Sequence, residues 1–135
     1  GASVTQNFIV YRTTTWGVGA NPTNIAIDSS GNVWVTNYGS NTVSEGSNAN
    51  DTVNTFSVGT NPHGIAIDSS GNVWVSNQGD NTVTKLSSNG TVLGTFNVGN
   101  GPRGIKTDSS GNVWVANYGT TNALGSTVTK LSSTG

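Results

Sequence analysis

The chain has 135 residues, a length suited to one domain, and only 8% of them are charged, whereas Ser, Thr, Asn and Gly make up more than half. Five scattered Lys and Arg residues and a net charge of −1 predict no surface for nucleic acid. The absence of Cys excludes disulfides and thiolate metal sites. No apolar run is long enough to predict a membrane-spanning segment, so we expect no interaction with a membrane.

A repeat of forty residues organises the chain. The letters Asp-Ser-Ser-Gly-Asn-Val-Trp-Val stand unchanged at 28–35, 68–75 and 108–115, and a Gly-x-x-Pro segment precedes each copy at constant spacing. The repeat divides what we predict to be a single domain into an N-terminal segment and three units. We place these four parts at 1–17, 18–57, 58–97 and 98–135.

The N-terminal segment is predicted to be a strand without a complete unit of its own. Trp16 stands forty residues before Phe56, which belongs to the last strand of the first unit. Side chains alternate over residues 8–15 as in a strand inserted between neighbours. The residues predicted to pair in this strand are Phe8, Ile9, Val10, Tyr11, Arg12 and Thr13.

Each complete unit is predicted to fold as an antiparallel meander of four strands, named a to d. In the second unit, apolar alternation and turn residues place the strands at 64–68, 72–77, 82–86 and 91–96. No stretch has the 3.6-residue apolar period of a helix. Four strands in forty residues are typical of a β-propeller blade, so we expect an all-β, open half-propeller of three blades.

The third unit departs from this pattern. A five-residue insertion lies between Thr120 and Ser126, strand c then recurs, and no strand d is recognisable after it. We therefore expect strand c of this unit to be an edge with unpaired peptide groups, ready to accept a further strand. The residues of this acceptor edge are Thr127, Val128, Thr129, Lys130 and Leu131.

The segment Asn-Pro-His-Gly-Ile-Ala-Ile-Asp-Ser-Ser-Gly-Asn-Val-Trp-Val at 61–75 resembles NHL-repeat propellers, and especially their streptogramin (virginiamycin B) lyase-like branch. The resemblance covers nearly the whole chain. It implies blades around a channel, with ligands on the face formed by the d–a and b–c loops. In the lyase-like relatives it implies His and Glu side chains with magnesium on that face. Here the b–c positions hold Asn, Tyr and Gln, and Glu45 stands in strand c.

Blade number points to self-association. Known propellers have at least four blades, so three are too few to close a ring. We expect the N-terminal strand of one copy to pair with the acceptor edge of another. Such a head-to-tail contact gives a six-bladed dimer if its rotation closes and a filament if it does not. The low net charge opposes this association only weakly.

The loops of the channel face supply the candidate ligand residues. The residue after each Pro varies between units, as do the b–c loops, while the rest of the repeat is constant. Amide and aromatic side chains of this kind suit a small polar ligand or a glycan. The candidates are Thr23, His63 and Arg103 after the prolines, and Tyr38, Gln78 and Tyr118 in the b–c loops.

The Asp that opens each repeated kernel is predicted to cap a turn. Asp28, Asp68 and Asp108 lack the further acidic ligands that a calcium loop needs, so we expect no metal, no other cofactor and no catalytic residue. Asn50 and Asn89 begin Asn-x-Thr sequons and are candidate glycosylation sites. Together with the polar, weakly charged composition, they predict an extracellular or cell-surface protein.

The sequence thus predicts a non-enzymatic, secreted propeller module that assembles with itself by N-terminal strand exchange. A ligand- or sugar-binding propeller that uses the channel face is the alternative. An enzyme like the streptogramin lyases, with His63 as its base, is the second alternative.

Overall fold

The computed structural model describes residues 3, 5, 7 and 13–135. In these residues the chain forms antiparallel β-strands, and it contains no helix of the length and apolarity needed to cross a bilayer. The strands are β1 (Pro22–Ile27), β2 (Val33–Asn37), β3 (Thr42–Gly46), β4 (Val53–Ser57), β5 (Pro62–Ile67), β6 (Val73–Asn77), β7 (Thr82–Leu86), β8 (Val92–Asn97), β9 (Pro102–Thr107), β10 (Val113–Thr120) and β11 (Ala123–Leu131).

Each repeat unit forms one sheet. The first two sheets have the orders β1-β2-β3-β4 and β5-β6-β7-β8, and the third has the order β11-β10-β9. The first strands of the three sheets, β1, β5 and β9, lie side by side. The sheets are therefore arranged as successive blades around a common inner edge. This arrangement confirms the predicted all-β fold, a partial propeller that the described residues do not close.

The strand boundaries agree with the sequence pattern except near the inner strands and the insertion. β7 has the predicted bounds, whereas β5 begins at Pro62, which faces Asn77 beyond an irregularity in the register. In the third sheet, Thr120 faces Ala123, so the insertion lengthens the β10–β11 hairpin. The outer strand of this sheet is consequently longer than the predicted acceptor edge.

The apolar core lies between the blades. Trp34 and Val43 of the first blade pack against Ile65 and Leu86 of the second. Full burial of one such side chain stabilises the fold by about 1.5–3 kcal/mol. Each blade thus has a trailing face, which meets the next blade, and a leading face, which meets the preceding one. The equivalent residues between the second and third blades are Trp74, Val83, Ile105, Val115 and Leu131.

One carboxylate holds each a–b turn. Oδ1 of Asp68 accepts hydrogen bonds from the backbone N–H groups of Ser70 at 3.0 Å and Asn72 at 2.9 Å, and its Oδ2 accepts from Trp74 Nε1 at 2.9 Å. Gly71 has a φ of 82°, which a tight hairpin of this type requires. The predicted capping role of the Asp is confirmed. The same bonds are made by Asp28 and Asp108.

These hydrogen bonds lower the pKa of the turn carboxyls. Partial burial alone would raise the pKa of Asp68, but the bonds from Trp74 and Asn72 outweigh it and keep the pKa below its ordinary value. The bonds from Trp114 and Asn112 lower the pKa of Asp108 to about 2. Because an unfolded Asp titrates at pH ~4, this stabilisation is present above that pH. It is lost as the pH falls through the native pKa.

Replacing Asp68 with Asn is expected to destabilise the protein by about 2–3 kcal/mol, because an amide NH₂ then faces the Trp74 N–H and a charged acceptor is lost. Urea unfolding at pH 7 measures the change in free energy. Asp51→Asn, at an exposed turn position, is the matched control. Equal unfolding midpoints for the two variants would contradict the capping role.

Candidate functional site

The b–c and d–a loops of each blade are joined on one face of the molecule, here named the loop face. Tyr38 N–H donates to the carbonyl of Asn21 at 3.0 Å, and Gln78 N–H donates to that of Asn61 at 3.0 Å. These bonds hold the residue after each Pro near the b–c loop of the same blade. The resulting pairs are Thr23 with Tyr38, His63 with Gln78, and Arg103 with Tyr118.

Five of the six predicted ligand residues line one cavity of about 430 Å³ on the loop face. The cavity is open to solvent and receives side chains from all three blades. Sequence reasoning did not single out Asn21 and Pro22, which complete its wall. The five predicted residues are Thr23, Tyr38, His63, Gln78 and Arg103.

Arg103 is held by its neighbours on two sides. With the amide oxygen of Gln78 turned towards the guanidinium, it accepts hydrogen bonds from Nε and Nη2 at 3.1 Å each. Cζ of Arg103 also lies 3.8 Å from the ring centroid of Tyr118, a cation–π contact. Tyr118, the sixth candidate, lies in β10 and not in a loop as predicted, because the insertion lengthens this hairpin; it is exposed and contacts the cavity wall through Arg103. The positive charge is therefore fixed at the cavity wall.

The surroundings of His63 determine its charge state in the cavity. Burial lowers the pKa of His63, and the positive charge of Arg103 lowers it further, so the imidazole is neutral at pH 7. Its Nδ1 is buried and has no hydrogen-bond partner among the described residues. Its backbone carbonyl accepts from Thr36 Oγ1 at 3.0 Å and from Thr23 Oγ1 at 3.3 Å, which fixes the strand that bears it.

The cavity is built for hydrogen bonding. An imidazole, a guanidinium, an amide and a phenol surround it, and no Asp or Glu belongs to its described lining. Glu45 instead accepts a hydrogen bond from Asn54 on the outer strands of the first blade. Over residues 3, 5, 7 and 13–135, no three His, Cys, Asp or Glu side chains lie close enough together to hold a metal ion.

The Asn at which each b–c loop was predicted to begin belongs to strand b and is structural. Asn77 is fully buried, and its Nδ2 donates to Thr82 Oγ1 at 3.0 Å and to Thr84 Oγ1 at 2.9 Å. A side chain on Gly59 would overlap this amide. These amides therefore tie strand b to strand c and do not face the cavity. Asn37 and Asn117 bond in the same way.

Two blade faces are uncovered in the described residues. On the trailing face of the third blade, Trp114 is 41% exposed and Val128 is 65% exposed, whereas their equivalents in the first two blades are fully buried. On the leading face of the first blade, Ile25 is 59% exposed, against 7% for Ile65. Lys130 Nζ lies 5.2 Å from the Trp114 ring centroid. Each face thus presents half of an interblade interface.

The predicted acceptor edge is the outer strand of the third sheet. β11 pairs with β10, and no other described strand pairs with it. Asn117 Nδ2 donates to the hydroxyls of Thr127 at 3.0 Å and Thr129 at 2.9 Å, which fixes the strand on its inner side. Val128 and Lys130 are exposed, and Leu131 packs into the core behind them.

The predicted N-terminal strand lies largely outside the described residues, which exclude Phe8, Ile9, Val10, Tyr11 and Arg12. Thr13 is exposed and has no regular secondary structure. Trp16 is half-buried and lies against Gly46 of the first blade, where a Cβ on the glycine would overlap its ring. The last part of the segment therefore contacts the leading face of the first blade.

Both candidate glycosylation sites are exposed and stand in c–d turns. Asn50 Oδ1 accepts from Thr52 Oγ1 at 2.7 Å, and Asn89 Oδ1 accepts from Thr91 Oγ1 at 2.9 Å. In an antiparallel meander, c–d turns lie at the end of the sheet opposite the b–c loops. Glycans at these positions would therefore leave the loop face free.

Residues 60–86 match a family model described as NHL repeat, which confirms the resemblance for most of the second unit. Comparison with curated protein sequences finds no match. Among solved structures, a streptogramin B lyase matches with a TM-score of 0.69 at 22% identity, over 84% of this chain and 41% of that chain. Virginiamycin B lyase from Staphylococcus aureus matches with a TM-score of 0.67 at 18% identity, over 82% and 41%.

The fold also occurs in proteins of other kinds. Hydrazine synthase from Kuenenia stuttgartiensis matches with a TM-score of 0.69 at 19% identity, over 81% of this chain and 32% of that chain. A protein of unknown function from Bacteroides caccae matches with a TM-score of 0.70 at 14% identity, over 84% and 47%. The chain thus spans about a third to a half of the length of these proteins. At these identities the matches establish the fold alone.

Replacing Arg103 with Gln is expected to raise the pKa of His63, because a positive charge beside the imidazole is removed while its burial remains. NMR titration measures this pKa directly, since His63 is the single histidine of the chain. Lys130→Gln, on the trailing face, is the control. A pKa of His63 that is the same in the parent protein and in Arg103→Gln would contradict the proximity of the two groups.

Proposed function

We propose that the protein is a non-enzymatic propeller module that assembles head to tail with other copies of itself. The trailing face of one copy covers the leading face of the next, and the N-terminal segment supplies the missing strand d beside β11 of its neighbour. The extracellular or cell-surface location that the composition predicts is part of this proposal.

The exposed apolar side chains support this proposal. Trp114 and Val128 stand at repeat positions that are fully buried in the two other blades, and Ile25 stands at a position nearly buried in the others. Except at Gly46, Lys106 and Ala116, the two uncovered faces have the residue types that already pack together twice within the chain. A second copy is therefore an occupant whose complementary face exists in the molecule itself.

The strand register supports the same arrangement. Val43 faces Phe56 in the first sheet, and Val83 faces Phe96 in the second. The same register in a composite blade places Trp16 opposite Val128 of the neighbour and Thr15 opposite Thr129. The pairing residues of the N-terminal strand are then 13–17, at the end of the segment identified from the sequence. The donated strand covers peptide groups of β11 that have no partner in the described sheet.

Two assemblies are consistent with this contact. Two copies contribute six blades to a closed ring if a two-fold rotation relates them. A filament forms if the rotation between copies does not close. In both, every joint uses the same trailing and leading faces, so a substitution on either face affects every joint.

Deletion of residues 1–15 is expected to convert the assembly to single copies, because strand d of each composite blade is removed. Sedimentation measures the masses: the full chain is expected at a multiple of 13.7 kDa, and the shortened chain at or near one copy. Deletion of residues 1–7, which retains the pairing residues, is the matched control.

Val128→Glu is a second variant for the same experiment. Val128 is mostly exposed in a single copy, so the substitution leaves the blade folded but puts a charge into the joint. Loss of the assembled mass is expected. A full-length chain that sediments as one copy would contradict self-assembly.

Ligand binding at the loop face is a second candidate function, and the convergence of His63, Gln78 and Arg103 on one cavity supports it. A fixed guanidinium, an amide and a neutral imidazole suit a small polar ligand such as a sugar or a carboxylate.

Titration with a set of monosaccharides and small carboxylates is expected to shift the NMR signals of the single imidazole. Arg103→Gln should weaken carboxylate binding by roughly tenfold or more, since it removes a charge-assisted hydrogen bond. Tyr118→Phe keeps the ring beneath the guanidinium and is the control. No shift with any member of the set would count against this function.

A further inference from the structure

The joint between copies differs from the joints within a copy in its aromatic residue, Trp16, and in the residue that faces it, Gly46. It also has Lys106 and Ala116 where the inner joints have a small apolar residue and a hydroxyl. We propose, on the basis of the self-assembly described above, that Trp16 and Gly46 form a size-matched pair that directs the N-terminal strand to this joint. The pair thereby favours a second copy as the partner of the N-terminal strand, and it favours one register of pairing.

The joints within a copy use a phenyl ring and a leucine. Phe56 of strand d stacks on Trp34, with ring centroids 5.7 Å apart, and packs in the cluster that contains Leu86 of the next blade. Phe96 stands 5.9 Å from Trp74 and packs with Leu131 in the same way. Each phenyl ring therefore packs against a tryptophan of its own blade and against an apolar cluster that includes a leucine of the next blade. A glycine of that next blade, Gly90 or Gly135, lies beside the ring.

The leading face of the first blade lacks this leucine. Gly46 occupies the position of Leu86, and the ring of Trp16 fills the space that a side chain there would take. Gly46 is buried and is not among the residues with positive φ, so its backbone does not require glycine. The space for a larger ring is the remaining physical reason for a glycine at this position.

The face of the Trp16 ring that points away from Gly46 is expected to contact the trailing face of the third blade of the neighbouring copy. Trp114 stands where Trp34 and Trp74 pack against their phenyl rings, yet it is 41% exposed in a single copy. Its Nε1 bonds Asp108 as in the other blades, so the indole is already held in the orientation that stacking uses. In the composite blade, Trp16 lies between Trp114 of one copy and Gly46 of the next.

Near-identity of the three units makes such a device necessary. A free strand d could compete with β8 or β4 for strand c of the first two sheets, because β7 has the same five residues as the acceptor edge and β3 begins with the same Thr-Val pair. At those places an indole would meet Leu86 or Leu131, and overpacking a filled core is destabilising. The larger ring therefore fits at the joint between copies and is rejected at the joints within a copy.

The test compares Gly46→Leu with the double variant Trp16→Phe and Gly46→Leu. The single substitution is expected to raise the dissociation constant of the assembly by roughly tenfold to a hundredfold, because the leucine occupies the space of the indole. The double variant reproduces the phenyl and leucine pair of the inner joints and is expected to restore the constant to within about threefold of the parent. Sedimentation over a range of concentrations measures both constants.

Urea unfolding of the same variants reports whether the blades themselves remain folded. An unchanged dissociation constant in Gly46→Leu, or a double variant that assembles no better than Gly46→Leu, would overturn the size-matched pair while the self-assembly stands. A parent chain that never assembles would instead overturn the proposed function. The two failures are therefore distinguishable in one set of measurements.

Discussion

A propeller blade is apolar on both faces of its sheet, so each blade needs a neighbour on either side. Within this chain the requirement is met twice, where Trp34 and Trp74 are buried against the next blade. Among the residues that the structure describes, it is unmet at the two ends of the row, where Trp114 and Ile25 are exposed. The proposed function and the pairing of Trp16 with Gly46 both follow from this incomplete burial.

Local polar contacts make the blades rigid enough to present such faces. The carboxylate of Asp68 holds a turn and the indole that follows it, and the buried amide of Asn77 ties two strands together. These groups are repeated in every blade, including the third, whose trailing face is uncovered in the described residues. Because Trp114 and β11 are already fixed in position, a neighbouring copy would bind without first ordering them.

The fold could be predicted from the sequence because its strongest signal, an eight-residue kernel repeated at constant spacing, is also the unit of structure. The loop-face residues could be placed together because loop order follows from a four-stranded meander. The burial of Asn77 was not predictable, since an Asn at the end of a strand can face either solvent or a neighbouring strand and the sequence does not distinguish the two. The contact of Trp16 with Gly46 was missed because a single glycine in a glycine-rich chain gives no signal until the ring beside it is seen.

Engineered cysteines test most directly whether copies complete one another. In the first sheet Ser44 Oγ and Thr55 Oγ1 lie 3.5 Å apart, and the repeat places Thr129 and Thr15 in the same relation across the proposed joint. Since the chain has no Cys, a variant with Thr15→Cys and Thr129→Cys forms disulfides only at the introduced positions. After oxidation, a denaturing gel is expected to show covalently linked multimers, with the two single variants as controls. A disulfide confined to single chains, or no disulfide at all, would contradict the account.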